Sequence, residues 1–125
     1  MIKQIKSAEI KNFLTDNKNV ELLDVRTQDE WDNIGKPDGE KIGLKTHFVT
    51  IIKSPDPSAN KDFIEKVKNV IDSNKELLVI CKAGSRSMMA SQLLSQANIN
   101  CVNISDGFEG NGKDSGWKNE GLPCN

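Results

Sequence analysis

The chain has 125 residues, enough to bury one core and too few for two, so a single domain spanning 1–125 is expected. Its 17 Lys+Arg against 18 Asp+Glu leave a formal charge of -1 with the two signs interspersed, which excludes the basic footprint of a nucleic-acid binder. Three widely spaced cysteines, Cys81, Cys101 and Cys124, and one histidine, His47, exclude a complete disulfide framework and any recognisable metal-ligand pattern, so neither metal nor cofactor is expected.

The opening "MIKQIKSAEIKNF" carries an acid and lacks the apolar run of a signal peptide, and no later stretch approaches the roughly 20 apolar residues that span a bilayer. The expectation is a soluble cytoplasmic chain with no membrane partner, or a periplasmic one had a leader been removed. Ser7 is placed to cap a first helix in which Ile10, Phe13 and Leu14 share a face. "VELLDV" (Val20 to Val25) then reads as a strand buried on both faces. An irregular region from Gly35 to Ala59 follows, long for a plain connection and rich in Gly, Pro and Lys. A short strand is expected in it near Lys41 to Gly43, and the region is expected to help form the rim of a site.

After a loop marked by Pro55 and Pro57, "NKDFIEKVKNVIDSN" sets Phe63, Val67, Val70 and Ile71 at helical spacing. "LLVI" (Leu77 to Ile80) is a second buried strand. A third helix follows Ser87, with Met89, Leu93, Leu94 and Ala97 on one side and Asn98 as its stop. "INCVNI" (Ile99 to Ile104) is another strand, and Cys101 within it is expected in the core. In the glycine-rich C-terminal segment, Phe108, Trp117 and Leu122 are expected to pin the tail to the body, leaving Cys124 as an exposed thiol.

Strands alternating with helices at this spacing imply parallel pairing through right-handed crossovers. The fold class is therefore α/β, a three-layer sandwich with a central, mainly parallel sheet of about five strands flanked by helices. Ligands of such sheets sit beyond the C-terminal strand ends, where Asp24, Cys81 and Asp106 all fall.

The segment "CKAGSRS" runs from a strand end into a helix start. Ala83, Gly84 and Ser85 are small enough for the backbone to curl and turn successive N–H groups onto the sulfur of Cys81, a nest for an anion. The helix N-terminus, Lys82 and Arg86 add positive charge, and such surroundings favour the thiolate. Alone, Cys81 also fits a small buried hydrophobe at a strand end. Gly84 and the flanking cations favour the reactive reading. No histidine is placed as a base: His47 reads as a loop residue, one that could line the entrance.

These residues resemble the single-domain rhodaneses, the sulfurtransferases, whose active-site loop has the form C-x-x-G-x-R-S. "LLDVRTQDEW" is similar to the family's D-V-R with a following acidic and aromatic pair, here Asp24, Val25, Arg26, Glu30 and Trp31. "DGFEG" and "GWKNEGLP" are similar to its G-G-x-x-x-W-x-x-x-G-L-P ending, with an insertion at Asn111 to Gly116. The usual G-H-I-P-G-A is replaced by "GKPDGEKIG", without its histidine.

The resemblance implies a Cys81 persulfide cradled by the main-chain N–H groups from Lys82 to Ser87, that is Lys82, Ala83, Gly84, Ser85, Arg86 and Ser87. Lys82 and Arg86 would receive an anionic sulfur donor, or Arg86 would turn inward against a carboxylate, with Asp24 the candidate. Asp24 and Arg26 are read as structural support, and Trp31 and Trp117 as core or lid packing. The implied partners are thiosulfate or a related donor, a thiol or cyanide acceptor, and a sulfur-relay protein in which Cys124 could share.

Two rivals stand beside this reading. A cysteine phosphatase or arsenate reductase would use the same nest for an oxyanion, but their C-x5-R loop is one residue longer than the four-residue gap from Cys81 to Arg86. A non-turnover persulfide carrier or interaction module would keep Cys81 and serve small acceptors poorly.

Overall fold

In a computed structural model that describes residues 1–52, 56–72 and 74–125, the three apolar runs lie side by side in the middle of one sheet. They are β2 (Val20–Asp24), β4 (Glu76–Ile80) and β5 (Cys101–Ile104), with β1 (Lys3–Ile5) and β3 (Thr46–Phe48) at the two edges. The five strands run in the order β1-β5-β4-β2-β3, and every pairing is parallel. Parallel neighbours need crossovers, and α1 (Ile10–Asp16), α2 (Gln28–Ile34), α3 (Pro57–Val70) and α4 (Ser85–Gln96) provide them.

Side chains alternate across a strand, so each central strand feeds two cores. Leu23, Leu77, Val79 and Cys81 pack with Phe63 and Val67 of α3 and Ala90 and Leu94 of α4. Leu22, Leu78, Ile80, Val102 and Ile104 pack on the other face with Ile10 of α1 and with Phe108, Trp117 and Leu122 of the tail. The result is the expected three-layer α/β sandwich. The tail is pinned as its apolar residues implied, and the Trp117 indole N–H donates to the Pro123 carbonyl at 2.7 Å. No described helix is long and apolar enough to cross a membrane.

Several local expectations are corrected. Ser7 caps no helix: its N–H and hydroxyl both donate to Asp106 Oδ1 at 2.9 Å, and α1 begins only after a 3-10 turn, Ser7–Glu9. The strand expected near Lys41 to Gly43 is a 3-10 turn, Gly39–Ile42, closed by the Leu44 N–H on the Gly39 carbonyl. The edge strand β3 starts at Thr46, whose N–H is taken by the Glu40 carboxylate. α3 starts earlier than Asn60 because Asp56 accepts the Ser58 N–H at 3.0 Å and Pro57 is preset for a first turn. It ends at Val70, with Ile71 extended; Pro55 and Ser73, part of the sequence reading, lie outside the described residues. Asn98, at φ 67, follows α4 as the expected stop.

Candidate active site

Cys81 directly follows β4, on the face of the sheet that meets α3 and α4, and is 1% exposed. Its sulfur receives the Gly84 N–H at 3.1 Å and lies 3.2 Å from the Ser87 hydroxyl oxygen. That hydroxyl also donates to the Gly84 carbonyl at 3.2 Å. A hydroxyl has one proton, so Ser87 can point it at the carbonyl beside a thiol, or at the sulfur once the sulfur carries negative charge.

The curl depends on two glycines. Gly84 caps α4 with φ +104, and a Cβ there would stand 2.2 Å from the Ser105 carbonyl oxygen. Gly107, at φ +63, would place a Cβ 2.4 Å from the Lys82 carbonyl oxygen. The loop thus lies backbone to backbone against the exit of β5. The Phe108 and Glu109 N–H groups take the carbonyls of Cys81 and Lys82 at 2.8 and 3.0 Å, and the Asn103 amide takes that of Gly84 at 3.2 Å. With these carbonyls engaged outward, the Gly84 N–H faces the sulfur.

Arg86 makes a forked pair with Glu30, at 2.6 and 2.8 Å. The Arg86 hydrogen bond holds the Glu30 carboxyl down at about 2 against the opposing effect of burial, with help from the Thr27 N–H and hydroxyl. The same bond raises Arg86, and the nearby Cys81 and Asp24 add smaller contributions. Glu30 is held in place by a reciprocal cap in which Thr27 opens α2.

The carboxylate bracing the loop is therefore Glu30, correcting the expectation of Asp24. Alternation is the reason: Asp24 shares the sheet face of Leu22, opposite to that of Cys81. Two residues on, Arg26 lies on the same side, and its guanidinium reaches Asp24 through Nε and Nη2 at 2.9 to 3.1 Å. Both are 0% exposed, and Arg26 also donates to the Gly35 carbonyl and stacks 4.3 Å from the Phe108 ring. This pair fastens the β2 exit to the tail.

Asp106, expected among the converging site residues, is likewise a fastener, accepting from Ser7 and, through Oδ2, from the Gly116 N–H at 2.9 Å. Lys82, Ala83 and Ser85 are exposed on the outer rim of the loop. His47 is neither a loop residue nor at the entrance: it is buried in β3 and bonds Glu21 at 2.8 Å. Burial works against the Glu21 charge, yet the His47 bond, the Asp72 N–H and the charges of His47 and Lys75 together lower its pKa.

Of the other thiols, Cys101 is buried as expected, and burial pushes it up to about 12. Cys124 is exposed as expected, and partial desolvation raises it. Among the described residues, no group of three or more His, Cys, Asp or Glu is arranged to hold a metal ion. Sequence reasoning missed the roles of Glu30 and Asn103. The spacing from Thr27 to Glu30 is a capping signal for a helix start, but nothing in it points to the contact with Arg86.

The model of the rhodanese-like domain family matches residues 7–113. An uncharacterized protein of Rickettsia prowazekii is 35% identical, the match covering 98% of this chain and 97% of that one. Thiosulfate sulfurtransferase 18 of Arabidopsis thaliana is 29% identical over 84% of this chain and 71% of its own. The crystal structure of Rv0390 from M. tuberculosis superposes with a TM-score of 0.81 at 28% identity, covering 98% of this chain and 96% of that one.

Proposed function

Because the chain belongs to the rhodanese-like domain family, we propose that it is a sulfurtransferase that carries a sulfane sulfur on Cys81 as a persulfide. The observation that supports this most is the pair of donors on one sulfur, the Gly84 N–H at 3.1 Å and the Ser87 hydroxyl at 3.2 Å. The Gly84 N–H already points at the sulfur, and the Ser87 hydroxyl needs only to rotate its proton there, so both can stabilise negative charge as it develops.

In the proposed cycle the Cys81 thiolate attacks the outer sulfur of thiosulfate. A bond forms between the two sulfurs, the sulfur–sulfur bond of thiosulfate breaks, and sulfite leaves with the electron pair. Cyanide, or an acceptor thiol as its thiolate, then attacks the outer persulfide sulfur, the bond between the two sulfurs breaks, and Cys81 departs as the thiolate. This is covalent catalysis with ping-pong kinetics. No general base is required, because the nucleophile enters and leaves each turnover in the same state.

The cations divide the work. Arg86, committed to Glu30, fixes the loop, while Lys82 is exposed and makes no ion pair with a described residue, which suits it to draw the anionic donor. The four-residue gap from Cys81 to Arg86 favours a ring for a single sulfur over one for a tetrahedral oxyanion. The test is thiocyanate release from thiosulfate and cyanide, expected from the wild type and absent from Cys81→Ser. Equal release from both proteins would remove Cys81 from the reaction.

A further inference from the structure

A groove of about 430 Å³ runs between the edge strand β3 and α3, lined chiefly by Trp31, Phe48, Ile52, Lys66, Asn69 and Val70. Apart from the terminal Met1, the large apolar side chains left exposed among the described residues are Ile34, Phe48, Ile52 and Val70, at 40%, 38%, 64% and 44%. Three of these four line the groove, and Ile34 lies one turn beyond Trp31 on α2. Single exposed apolar residues are ordinary, but their gathering in one place marks a contact surface.

The floor carries a second signal. Trp31 is nine-tenths buried and packs edge-on against Phe48 with ring centroids 5.2 Å apart, so the floor is aromatic and held in place.

The charges select the occupant. Lys66 lines the groove, and the Lys36 ammonium lies 5.7 Å from the centroid of the Phe48 ring that also lines it. No carboxylate of the described residues lines it, and Asp62 belongs to an adjoining hollow that shares Ile52 and Lys66. Two grooves facing each other about a two-fold axis would bring the lysines of both copies into one interface with no lining carboxylate to meet them, which disfavours a second copy. Strand addition is also disfavoured, since β3 has only three residues and the Thr46 N–H is already taken by Glu40.

We propose that this groove docks a segment of a partner protein that presents a large apolar side chain flanked by carboxylates. The apolar group enters between Ile52 and Val70, against the Phe48 ring, and the carboxylates meet Lys66 and Lys36. Since Trp31 follows Glu30 on α2, a partner seated here lies beside the brace of the Cys81 loop. The inference goes beyond the sulfur-transfer reading and is read without turnover.

The test is panning of a random dodecapeptide phage library on the immobilised full chain, then titration of the synthesised winners by nuclear magnetic resonance. The expected winners combine one large apolar residue with Asp or Glu and shift the Trp31 indole proton. Ile52→Glu, at an exposed position that should leave melting unchanged, is expected to weaken them tenfold or more. Lys66→Glu is expected to weaken them roughly two- to fivefold. Failure to enrich, winners without carboxylates, or binding indifferent to Ile52→Glu would overturn the proposal. So would a wild-type dimer in sedimentation that Ile52→Glu dissociates, which would give the face to a second copy.

Discussion

Arg86 and Glu30, 56 positions apart in the chain, meet through two hydrogen bonds of 2.6 and 2.8 Å that fasten the Cys81 loop to the first turn of α2. The loop is thereby held from three directions: by α2 through Arg86, by the exit of β5 through the Cys81 and Lys82 carbonyls, and by Asn103 through Gly84. The Gly84 N–H stays on the sulfur while the loop's carbonyls are engaged elsewhere, and these contacts do that.

If Arg86 is a brace, geometry matters more than charge. Arg86→Lys keeps the charge but cannot make the fork, so it is expected to behave like Arg86→Ala, each losing about 1–2 kcal/mol of stability along with sulfur transfer. Chemical denaturation and thiocyanate release, measured together, check this. Arg86→Lys with wild-type melting and wild-type transfer would show that charge alone suffices.

The pair also sets a pH window. Glu30 is held at about 2 against an ordinary 4.5, so its contribution to stability is fully present above 4.5 and is lost as pH falls toward 2. The stability gap between wild type and Glu30→Gln is expected to be constant from neutral pH down to about 4.5, then to close progressively in acid. Denaturation curves at several pH values measure that gap; a gap that closes near neutrality would contradict the pairing.

Ser87 is proposed to turn its proton toward a negative sulfur. Ser87→Ala removes one donor to a charged group, expected to slow transfer by about 10- to 100-fold while leaving the fold intact. Gly84→Ala should act differently, because it combines a left-handed backbone with a Cβ 2.2 Å from the Ser105 carbonyl oxygen. A stability loss of about 3 kcal/mol or more is expected there. Paired kinetics and melting separate the two behaviours.

Thiol labelling distinguishes the two other cysteines. Cys101, pushed up to about 12 and buried, is expected to resist iodoacetamide at pH 8 until the protein is unfolded, whereas exposed Cys124 is alkylated in the native state. Peptide mapping by mass reads both sites.

Much of this was legible in the residues themselves. "VELLDV", "LLVI" and "INCVNI" announced strands buried on both faces, and buried strands at such spacing leave little choice beyond a parallel sheet with helices on both sides. The Cys81 loop was legible because a curl around a sulfur requires small residues at fixed positions. β1 was not, since Lys3 and Gln4 are exposed and the strand exists only through its pairing with Val102 to Ile104. The partner of Arg86 was not either: Asp24 and Glu30 are both acids near the same strand exit, and only the face each occupies decides between them.

The central claim is that Cys81 carries the transferred sulfur, and intact mass of the purified protein before and after thiosulfate, then after cyanide, tests it most directly. The account predicts a gain of one sulfur on the wild type that cyanide removes as thiocyanate, with no gain on Cys81→Ser. A sulfur gained equally by Cys81→Ser, or none gained by the wild type, would contradict it.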